Sequence, residues 1–124
     1  MFSISKEFHF SASHQLHGLP EYHQCSRLHG HNYIVKVELK NGEVDDVGFI
    51  VDYADLSPIK HYIDDRLDHR HLNDVLQFNS TAEQLARHLH GVVRDLVKLP
   101  EGTQVTVHIS ETPKTWATFT GGAR

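Results

Sequence analysis

In Gly30-His31-Asn32-Tyr33-Ile34-Val35-Lys36-Val37-Glu38-Leu39-Lys40, the residues His31, Tyr33, Val35, Val37 and Leu39 alternate with Asn32, Ile34, Lys36, Glu38 and Lys40. A period of two over that length is the pattern of a half-buried strand. Asn41-Gly42 follows as a turn dipeptide. After the acidic run Glu43-Val44-Asp45-Asp46, the segment Gly48-Phe49-Ile50-Val51 reads as a second hairpin arm pairing back on the first. Upstream, Phe2, Ile4, Phe8 and Phe10 alternate with Ser3, Ser5, Glu7, His9 and Ser11, with Lys6 as the one discordant residue. Residues 13 to 28 carry Gly18, Pro20, Glu21, Gln24 and Ser26 without a sustained period, so they read as a long loop of the kind that usually carries function.

Further along, Leu56, Ile59, Ile63 and Leu67 recur at three- and four-residue steps, the stripe of an amphipathic helix, with Pro58 tolerable only in its first turn. Leu67 to Asn73 loses the stripe and reads as a polar connection. Ser80 or Thr81 caps a second helix, Gln84 is placed for a capping box on Thr81, and Leu85, Leu89, Val92, Val93 and Leu96 form the expected buried face. Val105, Val107 and Ile109 alternate again, and a last strand is expected from Trp116 to Thr120. Strands gathered at both ends around two helices predict an α+β fold, with a four-stranded antiparallel sheet covered by two helices on one face. Exposed sheet edges make oligomerisation an expectation.

The 124 residues fit a single domain spanning 1–124, and 39% hydrophobic with 23% charged residues is a globular composition. No apolar run approaches the length of a membrane span. The alternation begins directly after Met1, with no basic and apolar leader, so a cytoplasmic location is expected. A net charge of −4 with scattered Lys and Arg leaves no footprint for nucleic acid. The single cysteine cannot close an internal disulfide.

Twelve histidines make position the deciding matter. In Cys25-Ser26-Arg27-Leu28-His29-Gly30-His31 the two histidines share one face of a strand, and His14 extends the apolar alternation of Phe8, Phe10 and Ala12. Three neutral imidazoles suit zinc and leave a coordination position open. Cys25 either closes a four-ligand structural site or stands beside an open one as a thiol whose lowered pKa suits proton transfer. Asp68-His69 sets an orienting carboxylate next to an imidazole. Glu111, just past a strand, can accept two parallel N–H donors from a substrate.

Taken together, His14, His29 and His31, the Cys25-x-x-x-His29-Gly30-His31 spacing, Gly48-Phe49-Ile50-Val51-Asp52-Tyr53, Leu67-Asp68-His69-Arg70-His71-Leu72-Asn73, Thr81-Ala82-Glu83 and Glu111-Thr112 resemble the 6-pyruvoyltetrahydropterin synthase family. Three residues between the cysteine and His-Gly-His are similar to the branch that makes 6-carboxy-5,6,7,8-tetrahydropterin in queuosine (7-deazaguanine) biosynthesis. Two positions depart from the family pattern: Ser80 stands where proline is common, and Gln84 where asparagine is common.

The resemblance implies a tunnelling (T-) fold and a homohexamer built as a dimer of trimers, with sites between subunits. It implies that His14, His29 and His31 hold Zn2+ and that Cys25 is the general base. Asp68 with His69, from a neighbouring subunit, completes the proton relay. Glu111 anchors the pterin ring, and Thr81 and Glu83 line its pocket. The implied enzyme is a carbon-carbon lyase converting 7,8-dihydroneopterin triphosphate, with loss of acetaldehyde and triphosphate. A 6-pyruvoyltetrahydropterin synthase or a related dihydroneopterin triphosphate lyase is the alternative, and a non-catalytic zinc-stabilised module is the reading from a different class.

Overall fold

The computed structural model describes residues 1–121. Strands β1 (Phe2–His14) and β2 (His29–Asn41) pair antiparallel along their whole length, from Phe2 opposite Asn41 to His14 opposite His29. β2 pairs on its other side with β4 (Gln104–Thr112), and β4 with the edge strand β5 (Thr115–Thr120). These four antiparallel strands are the sheet expected from the alternation. A fifth strand of two residues, β3 (Arg70–His71), lies parallel to β1 at Ala12 and Ser13, giving the order β3-β1-β2-β4-β5.

One face of the sheet is apolar because the alternating positions coincide across strands. Phe8, Phe10 and Ala12 of β1 join Tyr33, Val35, Val37 and Leu39 of β2 and Val105, Val107 and Ile109 of β4 in one buried cluster. Helix α1 (Ser57–Arg66) adds Ile59 and Ile63, and α3 (Ala82–Leu96) adds Leu85, Ala86, Leu89, Val92 and Val93. Pro58 sits in the first turn of α1, where its missing N–H has no partner to lose. Thr81 is the N-cap of α3, its hydroxyl accepting from Gln84 N–H at 3.2 Å. No helix among the described residues is long and apolar enough to cross a membrane.

Three expectations are corrected. Gly48 to Val51 is not a hairpin arm: β1 and β4 already occupy both edges of β2, so no backbone groups remain there for it. The segment instead wraps the Asp45 carboxylate, which accepts from the N–H groups of Val47, Gly48 and Phe49 at 2.9–3.0 Å, and it tucks Ile50 and Val51 into the core. The connection from Leu67 to Asn73 is only partly polar, because Leu67 and Leu72 are fully buried; it forms β3 and begins the one-turn helix α2 (Leu72–Val75). Leu96, at the last turn of α3, is exposed, as is Phe2 at the start of β1, each at the end of its element.

Candidate functional site

The register of β1 on β2 builds the centre. His14 continues the inward face of β1 and stands directly opposite His29, while His31 follows two residues along β2 on the same face. The three rings pack edge to face with centroids 4.5, 4.9 and 5.1 Å apart, and one potential ligand atom from each lies within 4.8 Å of the others. His14 is fully buried; His29 and His31 are half-buried.

Hydrogen bonding decides which nitrogens are available. His14 Nδ1 lies 3.0 Å from the Ser80 carbonyl oxygen, and His29 Nδ1 lies 2.7 Å from that of Arg27. A carbonyl only accepts, so each Nδ1 donates its proton, which in a neutral ring leaves the lone pair on Nε2. Those two Nε2 atoms face each other at 2.9 Å. Oε2 of Glu111 lies 3.3 Å from His31 Nε2 and 3.6 Å from His14 Nε2. Burial, and then neighbouring His29, push His14 down to about 4 and lower His31 as well, so neither ring is charged at neutral pH. Converging acceptors beside a carboxylate are poorly stable on their own and are matched by a cation, so the residues fit a metal ion.

Glu111 lies in β4 beyond the pair Ile34–Ser110, and burial raises its pKa, with the charge of Glu83 adding to the effect against the opposing influence of His29. Glu83 and Glu111 line one groove of about 300 Å³ with Ala82, Ile109, Trp116 and Ala117. Thr81 faces a neighbouring groove with Glu83, Gln84, Arg87 and Phe119, and its hydroxyl is engaged in capping α3. Beneath the centre, Tyr33 OH lies 3.3 Å from His14 Nδ1, and burial together with Glu111 raises its pKa.

Cys25 is half-buried in a single 3-10 turn (Gln24–Ser26), its backbone N–H donating to His23 Nδ1 at 3.1 Å. Among the described residues it lies outside the donor cluster formed by the three histidines. Asp68 and His69 form a unit: Asp68 Oδ1 accepts from Ser11 N–H at 2.9 Å, and Oδ2 lies 3.0 Å from His69 Nδ1. The Ser11 N–H and His69 both lower the pKa of Asp68. The unit is pinned where His69 N–H donates to Ser11 O at 2.6 Å, with His69 at a φ of 58°. His69 lines a second groove, of about 480 Å³, with Ser11, Gly30, His31, Asn32 and Arg70. Among the described residues no hydrogen bond joins Cys25 to Asp68, His69 or Glu111.

Sequence reasoning treats Ser80 as a helix cap alone. Its hydroxyl also lies 3.0 Å from His14 Nδ1, beside the carbonyl contact, so the departure from proline gives the ring a second acceptor. No local pattern signals this, because the two residues are brought together only by the packing of α3 on the sheet.

The fold and donor set define a class: an α+β protein whose central strands carry three histidines able to hold a metal ion, bordered by a buried carboxylate. Residues 3–122 match the 6-pyruvoyl tetrahydropterin synthase family, and the chain belongs to that family of tetrahydropterin-forming enzymes. Its fold is accordingly the tunnelling fold. The 6-carboxy-5,6,7,8-tetrahydropterin synthase of Bacillus subtilis is 31% identical, covering 95% of this chain and 84% of that protein. The protein of the same name from Haemophilus influenzae is 38% identical over 69% of this chain and 61% of its own length. The solved structure of Caenorhabditis elegans 6-pyruvoyl tetrahydropterin synthase superposes with a TM-score of 0.82 at 30% identity, over 98% of this chain and 96% of that one.

Proposed function

We propose that this chain is a zinc-dependent 6-carboxy-5,6,7,8-tetrahydropterin synthase acting in queuosine biosynthesis. It is a carbon-carbon lyase that converts 7,8-dihydroneopterin triphosphate with release of acetaldehyde and triphosphate. The observation that carries the reading is the convergence of the ring nitrogens of His14, His29 and His31 beside Glu111. The choice of the carboxy product rests on the three residues between Cys25 and His29 and on the similarity to the Bacillus subtilis enzyme.

His14, His29 and His31 would hold the zinc, which supplies Lewis-acid polarisation of the substrate's side-chain hydroxyls when bound. Glu111 accepts the paired N–H donors of the pterin ring, at a site whose low polarity strengthens each bond. Glu83 borders the same groove, and Thr81 keeps the start of α3 in place beside it. Cys25 takes a proton from the substrate side chain and returns it. Asp68 holds His69 by its Nδ1–H, leaving Nε2 to exchange the relayed proton. The relay is completed by this pair from a neighbouring subunit.

That arrangement requires an oligomer, a homohexamer of two stacked trimers. β1 supports the reading, because β3 covers its outer edge only at Ala12 and Ser13 and leaves the backbone groups of its first half for another strand. The whole of 1–124 acts as one synthase domain, in the cytoplasm, on a free pterin rather than on nucleic acid or membrane.

The test is incubation of the zinc-loaded protein with 7,8-dihydroneopterin triphosphate. Acetaldehyde and triphosphate in equal amounts are expected, and product without acetaldehyde assigns the chain to the pyruvoyl-forming reaction favoured by the Caenorhabditis elegans structural match. Cys25→Ala is expected to keep its zinc and lose turnover. Loss of zinc from that variant would overturn the role of the thiol outside the metal site.

A further inference from the structure

The segment just after His14 is held in an unusual way. The side-chain amide of Asn73 takes both backbone groups of Gln15: Gln15 N–H donates to Oδ1 at 2.9 Å, and Nδ2 donates to Gln15 O at 2.8 Å. Asn79 does the same to His17, with both bonds at 3.0 Å. The residue between them bonds to a different segment. Leu16 N–H donates to the carbonyl oxygen of Cys25 at 3.1 Å, and Gln15 Nε2 donates to Ser26 O at 2.8 Å.

Residues 15–17 are therefore a short bar with two edges. One edge is read by two amides that take the place of a strand, and the other carries the cysteine turn. The first edge continues from β1 without a break in kind: Ser11 is bonded by Asp68 and His69, Ala12 and Ser13 by β3, Gln15 by Asn73 and His17 by Asn79. Only an amide side chain offers a donor and an acceptor in the spacing of a peptide unit, so neither asparagine has a like-for-like replacement of the same length.

We propose that Asn73 and Asn79 are positioning residues for Cys25. Their amides hold the backbone of Gln15 and His17 in place, and through Leu16 they set where the thiol stands relative to His14, His29 and His31. The inference rests on the reading of Cys25 as the proton-transfer group.

Cys25 is the sole cysteine, so the rate of alkylation by iodoacetamide reports its surroundings alone. Asn73→Ala and Asn79→Ala are compared with wild type for alkylation rate from about pH 6 to 9, zinc content, and kcat and KM. Asn41→Ala is the comparator, because Asn41 is an equally engaged asparagine far from the cysteine turn, donating to Glu101 O and Thr103 Oγ1. Both test variants are expected to alkylate at a rate changed by about threefold or more with a displaced pH profile and unchanged zinc. A misplaced base is expected to lower kcat by up to about 100-fold with KM little altered.

Asn41→Ala is expected to leave the alkylation rate and profile as in wild type. If an alanine variant does not fold, the aspartate variant at that position, which keeps the acceptor and loses the donor, is measured in its place. Alkylation indistinguishable from wild type in both test variants, or moved as far by Asn41→Ala, would overturn the proposal. Because alkylation needs no turnover, a wild-type protein that forms no product would overturn the proposed activity without touching the positioning role.

Discussion

His14 is oriented by a carbonyl and a hydroxyl of the same residue, Ser80, each 3.0 Å from Nδ1. Removing the partner of a metal-binding histidine typically costs 10- to 100-fold in metal affinity, and Ser80→Ala removes one oxygen partner of Nδ1 while leaving the Ser80 carbonyl and, at 3.3 Å, Tyr33 OH. A loss of about tenfold, the lower end of that range, is expected in a chelator competition. Unchanged affinity would mean that the carbonyl, with Tyr33 OH beside it, orients the ring without the hydroxyl. Glu111→Gln keeps the size of the side chain but replaces one of its two acceptor oxygens with an NH2 donor. A bond to a charged group contributes about 1.5–3 kcal/mol, so kcat/KM is expected to fall about 10- to 100-fold, carried mainly by KM. Zinc content should be unaltered, since Glu111 is not one of the three clustered donors.

Among the elements, α3 matters most to the site because residues 79–81 at its start have three separate tasks. Asn79 clamps His17, Ser80 orients His14 and Thr81 caps the helix. Thr81→Ala is expected to lower unfolding free energy by about 1 kcal/mol, read as a shifted denaturant midpoint with an unchanged slope, and Thr81→Ser should restore it. Along the same helix, His88 Nε2 lies 2.6 Å from Tyr62 OH of α1, and burial lowers the pKa of His88. A group whose folded pKa is depressed below 6.5 binds its proton first in the unfolded chain as pH falls. Stability of the metal-free protein should therefore be flat with respect to His88 above its unfolded pKa and should decline below about pH 6.5. His14 and His31 act in the same direction. His88→Phe, which keeps a ring against Phe78, should make that decline shallower in urea titrations at a series of pH values; an identical decline would remove His88 from the account.

For the whole molecule, the candidate metal site joins the two long central strands, so its three histidines come together only in the folded chain. Binding to the folded state alone stabilises by about 4 kcal/mol when free metal exceeds its dissociation constant a thousandfold. Adding chelator to the zinc-loaded protein is expected to lower the unfolding temperature by several degrees while leaving the far-ultraviolet spectrum intact. The apolar cluster that spans β1, β2, β4, α1 and α3 does not depend on the histidines. Complete unfolding on chelation would instead mark the structural zinc module.

What the residues determine by themselves is local and periodic. Tyr33 to Leu39 and Phe8 to Ala12 each state a strand and its inward face, and His14, His29 and His31 fall on those faces by continuing the same count of two. Thr81 with Gln84 states where α3 begins. Only the tertiary structure decides which strands share an edge. The apolar segment Gly48 to Val51 could have paired with β2, and it does not because β4, distant in sequence, takes that edge. The same cause places Glu111 within 3.3 Å of His31, whereas the packing of α3 on the sheet brings Ser80 against His14 and Asn79 against His17. Side-chain alternation is a property of one strand's backbone, whereas register and edge occupancy are settled by competition among all strands for the same hydrogen-bonding groups.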